Sequence, residues 1–326
     1  KYINPTMFDK SVSVCIDTND VDYQAGSLIS GQVSIVVTDK TKCDAIVLNF
    51  IGKEKIQWTE TSGSGSDRKT HVYREEYVFA NSEIHLKLTS DGCLNQGQYS
   101  YPFQYQLPLS MPCSQDLSDG LHYGSLAYIK YKLKCKLIGA GKLFNDFEHS
   151  KVIRIIKPSI APIIHDIPFS DSLTRTIKKF LFFKIGQCQI KFEVEKTQLQ
   201  KNEMAKVNCH VLNNTNKDMK EITLSLHQCI TMMNKYNHKH TERRKKARAV
   251  FPGIPARIAR KCTLLLWIEG THLFDSMQWS YLKCEYYLRL KGKFPWSNDI
   301  CYDIPIGIQN CSRSSATGQL PMVYKF

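Results

Sequence analysis

The sequence predicts an all-β protein built from two tandem antiparallel β-sandwiches. Three observations lead to this prediction. Runs rich in Val, Ile, Leu, Tyr and Phe follow one another through most of the 326 residues, with turn signals between them. The apolar register of the first half recurs in the second half. A chain of this length also forms two domains more often than one.

The strand-like runs of the first half cover residues 11–16, 31–37, 45–57, 71–79, 84–88, 99–107, 126–138 and 151–156. In the run 99–107, aromatic residues and a leucine alternate with polar residues and a proline, which is the period of a half-buried strand. Pro102 has no N–H to donate to a ladder. We therefore expect this strand to lie at a sheet edge or to begin after the proline.

The strand-like runs of the second half cover residues 182–194, 205–212, 221–232, 258–267, 281–290 and 302–307. Before them, residues 171–180 form a candidate short helix. Leu173 and Ile177 lie four positions apart there and would share one helix face.

An internal repeat divides the chain. Val14 matches Ile190, and Ile46 matches Ile222, at one constant offset with no gap. Prolines at positions 158, 162 and 168 indicate a stiff, extended crossing between the halves. We therefore predict four segments: an N-terminal sandwich over residues 1–158, a linker over 159–178, a C-terminal sandwich over 179–312 and a tail over 313–326.

Composition points to a cytosolic protein. No apolar run reaches the length of a membrane span, and the chain starts at Lys1 without the apolar core of a signal peptide. The 12 cysteines are scattered singly, and Cys135, Cys209 and Cys284 sit in apolar strand patterns. That usage predicts buried, reduced thiols rather than a disulfide framework.

The formal net charge of +14 belongs almost entirely to residues 159–326, because residues 1–158 are close to neutral. Such asymmetry predicts an anionic partner for the second half. The densest basic segment, residues 235–248, lies between two predicted strands and is expected to be a long hairpin loop. Three interpretations are open: a solvated loop, a site for anionic lipid or phosphate, and a nuclear-localisation or nucleic-acid patch. The candidate anion-binding residues are Lys235, Lys239, Arg243, Arg244, Lys245, Lys246 and Arg248.

Enzyme and metal functions are disfavoured by the sequence. It has no G-x-S-x-G, P-loop, G-x-G-x-x-G or H-E-x-x-H motif, so we predict neither catalysis nor a cofactor. The His-x-Cys at 227–229 and the His-x-His at 238–240 would be the candidate metal ligands, but nothing indicates a supporting shell, and we predict no metal site. We expect Trp267, Trp279 and Trp296 to be core anchors rather than a recognition surface.

Ordered motifs give the first half a family resemblance. The chain reads Tyr23-x-x-Gly26-x-x-Ile29-x-Gly31-x-Val33, then Ile46-x-Leu48-x-Phe50-x-Gly52, then Gly97-x-Tyr99-x-Tyr101-Pro102-Phe103-x-Tyr105-x-Leu107-Pro108. In this order the motifs resemble the N-terminal domain of the arrestin family, and especially of the α-arrestins (arrestin-domain-containing proteins).

The second half resembles the C-terminal arrestin domain. Its motifs are Gly186-x-Cys188-x-Ile190-x-Phe192-x-Val194, Val211-x-Asn213-Asn214 and Ile304-Pro305-Ile306-Gly307-Ile308. The resemblance implies two immunoglobulin-like sandwiches and a trafficking adaptor that binds cytoplasmic tails of membrane proteins. It also favours the lipid or phosphate interpretation of residues 235–248, with the protein peripheral at the plasma membrane or endosomes.

Some features of the family are absent, and other functions stay open. The sequence lacks a P-P-x-Y motif, so recruitment of a ubiquitin ligase would need a tail outside this chain. The alternatives are a retromer-subunit-like endosomal coat protein, which shares the architecture, and a nucleic-acid-binding protein that uses the basic 235–248 segment. A redox partner that reacts through a thiol is a further possibility.

Overall fold

β-Strands form most of the protein in the computed structural model, which describes residues 11–139, 147–156, 168–180, 182–270 and 272–309. Within those ranges the helical segments are two short 3-10 helices, η1 (Gly65–Asp67) and η2 (Ser118–Gly120). No helix in the described parts of the chain has the length and apolar character needed to cross a membrane.

The first domain contains β1 (Val12–Thr18), β2 (Asp22–Gln24), β3 (Leu28–Val37), β4 (Thr41–Lys42), β5 (Ala45–Ser62), β6 (Lys69–Leu88), β7 (Cys93–Leu94), β8 (Gly97–Gln106), β9 (Gln115–Asp116), β10 (Leu126–Ile138) and β11 (Phe147–Ile156). The second domain contains β12 (Phe169–Lys179), β13 (Phe183–Val194), β14 (Gln198–Gln200), β15 (Glu203–Thr215), β16 (Glu221–Met233), β17 (Lys239–Pro252), β18 (Ala259–Ile268), β19 (Met277–Gln278), β20 (Leu282–Lys293) and β21 (Ile300–Gln309).

Each domain is a sandwich of two sheets, as predicted. In the first domain the strand orders are β1-β3-β8 and β2-β11-β10-β5-β6. In the second domain they are β12-β13-β15-β18 and β14-β21-β20-β16-β17. Both domains contain one short parallel pair, in which Tyr23 lies opposite Ile155 and Leu199 lies opposite Ile308. The shared strand order and the matching parallel pairs confirm the internal repeat.

The strand of residues 99–107 lies where its proline predicts. In the described residues β8 pairs with β3 alone, and Pro102 lies opposite Gln32 at this edge of the sheet. Its alternate residues face the core, where Tyr105 stacks on Phe50 with ring centroids 4.6 Å apart. The predicted burial of Cys135, Cys209 and Cys284 is also confirmed, because each is at most 5% exposed.

The predicted helix over 171–180 is wrong, because residues 169–179 form β12 and pair with β13 along their length. A spacing of four places Leu173 and Ile177 on one face of a strand as well as on one face of a helix. Both residues pack on the core of the second domain. The later part of the predicted linker is therefore a strand. The rest of that linker up to residue 167, and the tail from 313, lie outside the described residues.

The two domains meet across a buried apolar contact. Ile56, Trp58 and Leu117 of the first domain belong to the same buried cluster as the core of the second domain. At the boundary, Trp279 packs edge-on against Phe79 with ring centroids 5.7 Å apart. The η2 turn reaches the second domain too, because Gly120 lies tightly beside Phe274.

Candidate functional site

The basic segment 235–248 is mostly a strand and not the predicted loop. From Lys239 onward it forms β17, which pairs with β16 in an antiparallel ladder. Only a short turn before Lys239 joins the two strands. One register shift interrupts the ladder beside Leu226 and His227. Because successive side chains of a strand point to opposite faces, the basic residues separate into two groups.

The first group points outward. Lys239, Arg243, Lys245 and Arg248 are exposed on the face that carries Ser225 and His227 of β16. Neighbouring β20 adds Arg289, Lys291 and Lys293 to this face, because they lie opposite Ser225, Thr223 and Glu221. We call these seven cations the basic face: Lys239, Arg243, Lys245, Arg248, Arg289, Lys291 and Lys293.

A shallow depression of about 250 Å³ lies in the basic face and is lined by Lys245, Arg248 and Arg289 among others. Some of its cations have carboxylate partners. Arg289 donates two hydrogen bonds to Asp303, both of 2.7 Å, which raise the pKa of the guanidinium. Lys291 lies 2.6 Å from Asp299. By contrast, Arg243 and Lys245 form no ion pair within the part of the chain that the structure describes.

His227 lies within the depression. Burial lowers the pKa of its imidazole, and repulsion from Arg289 and Lys245 lowers it further. The ring is therefore uncharged at neutral pH and stacks on Tyr287 with centroids 5.0 Å apart. Glu221 also lines the depression and lies 3.5 Å from Arg248 and 3.9 Å from Lys293, so the site combines several cations with a neutral imidazole and one paired carboxylate. Such an arrangement suits a multiply charged anion that presents several acceptor oxygens.

The second group of predicted cations points elsewhere. The Arg244 guanidinium lies 3.6 Å from Glu242, and the Lys246 ammonium donates to the carbonyl of His272 at 2.9 Å. Lys235 lies in the turn, where its backbone N–H donates to Glu75 of the first domain at 3.3 Å. The structure therefore does not bring all seven predicted residues together.

Residues near the β16–β17 turn instead join the domains, a role that was not predicted. The His238 ring stacks on Tyr73 with centroids 4.2 Å apart, and its Nε2 lies 3.1 Å from Glu60. The His240 ring packs on Trp58 with centroids 5.9 Å apart. The single acidic residue of the segment, Glu242, was the available signal. An isolated carboxylate among so many cations indicates a specific partner.

A second exposed feature is the turn between β12 and β13. Phe180, Phe182 and Phe183 are 56%, 82% and 68% exposed, and the neighbouring Trp296 is 78% exposed. The backbone N–H of Phe180 donates to the Trp296 carbonyl at 3.1 Å. We call these four aromatic residues the aromatic tip.

The aromatic tip corrects one prediction from sequence. Trp296 and also Trp267, which is 52% exposed, are not core anchors. Trp296 lies in a turn, where its φ is positive at 54°. Lys178, Lys179 and Lys184 are close to the aromatic tip in sequence, and the Lys179 ammonium lies 5.1 Å from the centroid of the Phe180 ring.

The described residues contain no group of three or more His, Cys, Asp or Glu side chains arranged to hold a metal ion. His227 and Cys229 lie on the outer face of β16, whereas His238 and His240 contact the first domain.

Comparison with known proteins matches both domains. A family model described as "Arrestin (or S-antigen), N-terminal domain" matches residues 12–160, and its C-terminal counterpart matches residues 184–313. Arrestin domain-containing protein A of Dictyostelium discoideum is 25% identical over 72% of this chain and 40% of its own length. Arrestin domain-containing protein C31A2.12 of Schizosaccharomyces pombe is 28% identical over 40% of this chain and 21% of its own length. The chain thus spans less than half the length of either relative.

Proposed function

Because the chain belongs to the arrestin family through both of its domains, we propose that it is a non-enzymatic adaptor in the trafficking of membrane proteins. In this role it binds cytoplasmic segments of membrane proteins while the second domain rests on an anionic membrane surface. The observation that carries the proposal is the basic face on β17 and β20, where Arg243 and Lys245 have no ion pair within the described residues.

Anionic headgroups are the ligands that fit this surface. A basic residue near an acidic leaflet contributes on the order of 1 kcal/mol, and several on one face act together. Arg243, Lys245 and Arg248 lie on one edge strand, so all of them can approach a flat surface at once. An inositol phosphate headgroup offers the multiple oxygens that forked guanidinium groups bind in pairs.

The aromatic tip supports an orientation in which the basic face meets the membrane. Trp296 follows the end of β20 at Lys293 by only a few residues, so the tip lies at one end of the basic face. Exposed aromatic patches rimmed by cations are typical of surfaces that enter the interfacial layer of a bilayer. We infer that the tip enters this layer while the basic face binds headgroups.

Binding of cargo is assigned to the exposed strand edges. An extended cytoplasmic segment adds to a sheet edge through backbone hydrogen bonds, and alternate side chains supply specificity. Strand β8 is such an edge in the described residues. A ubiquitin ligase would be recruited through a segment outside this chain. The expected location is the cytoplasm, peripherally at the plasma membrane or endosomes.

Cosedimentation with vesicles tests the proposal. The double reversal Arg243→Glu with Lys245→Glu is compared with wild type on phosphatidylcholine vesicles that contain a phosphoinositide. We expect binding to weaken about 10-fold to 100-fold, since each reversal removes an attraction and adds a repulsion. The matched control is Lys191→Glu with Lys261→Glu, which changes the net charge equally on the other sheet of the same domain. That control is expected to retain binding.

Two outcomes would contradict the proposal. Unchanged vesicle binding by the double reversal would show that the basic face does not hold the membrane. Duplex DNA serves as the second probe at matched phosphate concentration. Tighter binding to DNA than to the vesicles, with a steep salt dependence, would favour the nucleic-acid alternative instead.

A further inference from the structure

Two cysteines lie directly opposite each other in the second domain. Cys209 on β15 and Cys262 on β18 are register partners in an antiparallel ladder. Directly opposed residues in such a ladder have Cα atoms about 4.5–5.5 Å apart, which lies within the range that a disulfide spans. The pair sits near the middle of the ladder, so the strands on both sides hold its spacing.

Both side chains point to the same face of the sheet, towards the core that Val207 and Leu264 also enter. The two thiols are close enough for each to shift the pKa of the other. Other neighbouring thiols of the described chain lack this arrangement. Cys284 lies opposite Ile230 rather than Cys229, so those two side chains point to opposite faces of their sheet.

The pair differs in accessibility. Cys209 is only 5% exposed, whereas Cys262 lies half-buried on the edge strand of its sheet. Because the Cys262 side chain is partly exposed on this edge strand, a small oxidant can reach its sulfur before it reaches that of Cys209.

The chemistry of the two thiols is also unequal. Interaction with the Cys209 thiol lowers the pKa of Cys262 even though burial raises it, and the positive charge of Arg260 lowers it further. Interaction with the Cys262 thiol, together with burial, raises the pKa of Cys209. For comparison, burial raises the pKa of Cys135, Cys188 and Cys284 to about 12. Cys262 is thus suited to react as a thiolate, and lone buried thiols are not.

We propose that Cys209 and Cys262 are a redox-active pair that closes to an intradomain disulfide when a peroxide reaches the half-buried sulfur of Cys262 on β18. The Cys262 thiolate attacks one oxygen of hydrogen peroxide, so that an S–O bond forms, the O–O bond breaks and hydroxide leaves to take up a proton. The Cys209 sulfur then attacks the Cys262 sulfenic acid, forms the S–S bond and releases water. In total the two thiols lose two electrons and two protons, and one peroxide is reduced to two waters.

The disulfide would also affect the basic face, because the chain segment between the two cysteines carries part of that face. The segment between Cys209 and Cys262 contains all of β16 and β17, and therefore the outward cations of β17. A cross-link around such a segment restricts the unfolded chain and pins the edge strand β18 to β15. The inference does not depend on the adaptor proposal, because it rests on the register of the two cysteines and on the partial exposure of Cys262.

Peptide mapping of the full chain after brief treatment with hydrogen peroxide tests the inference. We expect a peptide pair linked through Cys209 and Cys262 that disappears after reduction with dithiothreitol. Oxidised protein should also show a rise of about 5–10 °C in the thermal midpoint of the second domain, reversed by the same reduction. Cys262→Ser should lose both effects. The matched control Cys229→Ser, another half-buried cysteine of this domain, should keep them.

Other products would overturn the inference. Oxidation of Cys262 to a sulfinic acid without a linked peptide would show that Cys209 cannot reach it. A linked peptide that joins Cys262 to a different cysteine would have the same meaning. Wild-type protein whose thiols all survive the treatment would also refute it. The peptide map of wild-type protein tests the inference even if Cys262→Ser fails to fold.

Discussion

The backbone N–H of His122 donates to both carboxylate oxygens of Glu242, at 3.1 and 2.9 Å. His122 follows the η2 turn of the first domain, and Glu242 lies on β17 of the second. Glu242 is only 5% exposed, and Arg244 lies 3.6 Å from its carboxylate. The strand that displays cations to solvent therefore uses its inward carboxylate to join the domains.

Replacing Glu242 is expected to loosen this contact. Glu242→Ala should destabilise the chain by about 1–3 kcal/mol, because it leaves a half-buried backbone donor and the Arg244 guanidinium without their partner. Urea unfolding followed by tryptophan fluorescence measures the change. The control Glu285→Ala removes an exposed glutamate from neighbouring β20. Equal midpoints for the two variants would mean that the Glu242 contact adds nothing to the interface.

A second buried carboxylate makes the interface sensitive to pH. Glu54 is fully buried and accepts a hydrogen bond from the Tyr281 backbone N–H at 2.9 Å. Burial raises its pKa from 4.5 to about 7. The folded protein thus keeps this proton to higher pH than the unfolded chain does, so the stability contribution falls as pH rises from about 4.5 to about 7.

Glu54→Gln should remove that fall. Over this pH range, we expect the unfolding free energy of wild type to fall by about 3 kcal/mol more than that of Glu54→Gln. The measurement compares urea midpoints at about pH 5 and about pH 8. Glu193→Gln, an exposed glutamate on β13, should keep the wild-type slope. If the stability of wild type and of Glu54→Gln changed equally with pH, the pH dependence would not come from Glu54.

The strands and their pairing could largely be predicted from sequence. Pro102 placed β8 at a sheet edge because proline cannot donate, and the constant offset between Ile46 and Ile222 predicted two domains of one topology. The helix at 171–180 was wrong because a spacing of four fits one face of either a helix or a strand. Period alone does not separate these alternatives over so short a segment.

The functional surface was harder to predict. Alternation is hidden in β17 because its inward face also carries polar residues. His240 and Glu242 meet the other domain, and Arg244 lies beside Glu242. With polar residues on both faces, the strand resembles a loop. The pairing of Cys209 with Cys262 was also hidden, since it requires the register of two strands that β16 and β17 separate along the chain.

The aromatic tip is expected to contribute binding that salt does not screen. Phe182→Ser with Phe183→Ser should weaken vesicle binding about 10-fold, since apolar rings no longer enter the interface. Because both rings are exposed, the thermal midpoint should hardly change. The remaining binding should fall more steeply with ionic strength, as charges alone then carry it.

A matched control for the tip lies in the first domain. Leu109→Ser with Tyr123→Ser removes two exposed apolar side chains, which are 85% and 107% exposed. This variant should bind vesicles as wild type does. Equal losses in the two variants would show that general surface hydrophobicity, and not the tip, brings the protein to the membrane.

Lysine footprinting on vesicles tests the central claim most directly, namely that the basic face holds the protein at an anionic membrane. Wild-type protein is acetylated briefly with and without phosphoinositide vesicles, and each lysine is quantified by mass spectrometry. The account predicts that Lys245, Lys291 and Lys293 lose reactivity on vesicles, whereas Lys191 and Lys261 on the other sheet of the domain keep theirs. Protection of Lys191 and Lys261 instead, or no protection of Lys245 in the bound protein, would contradict it.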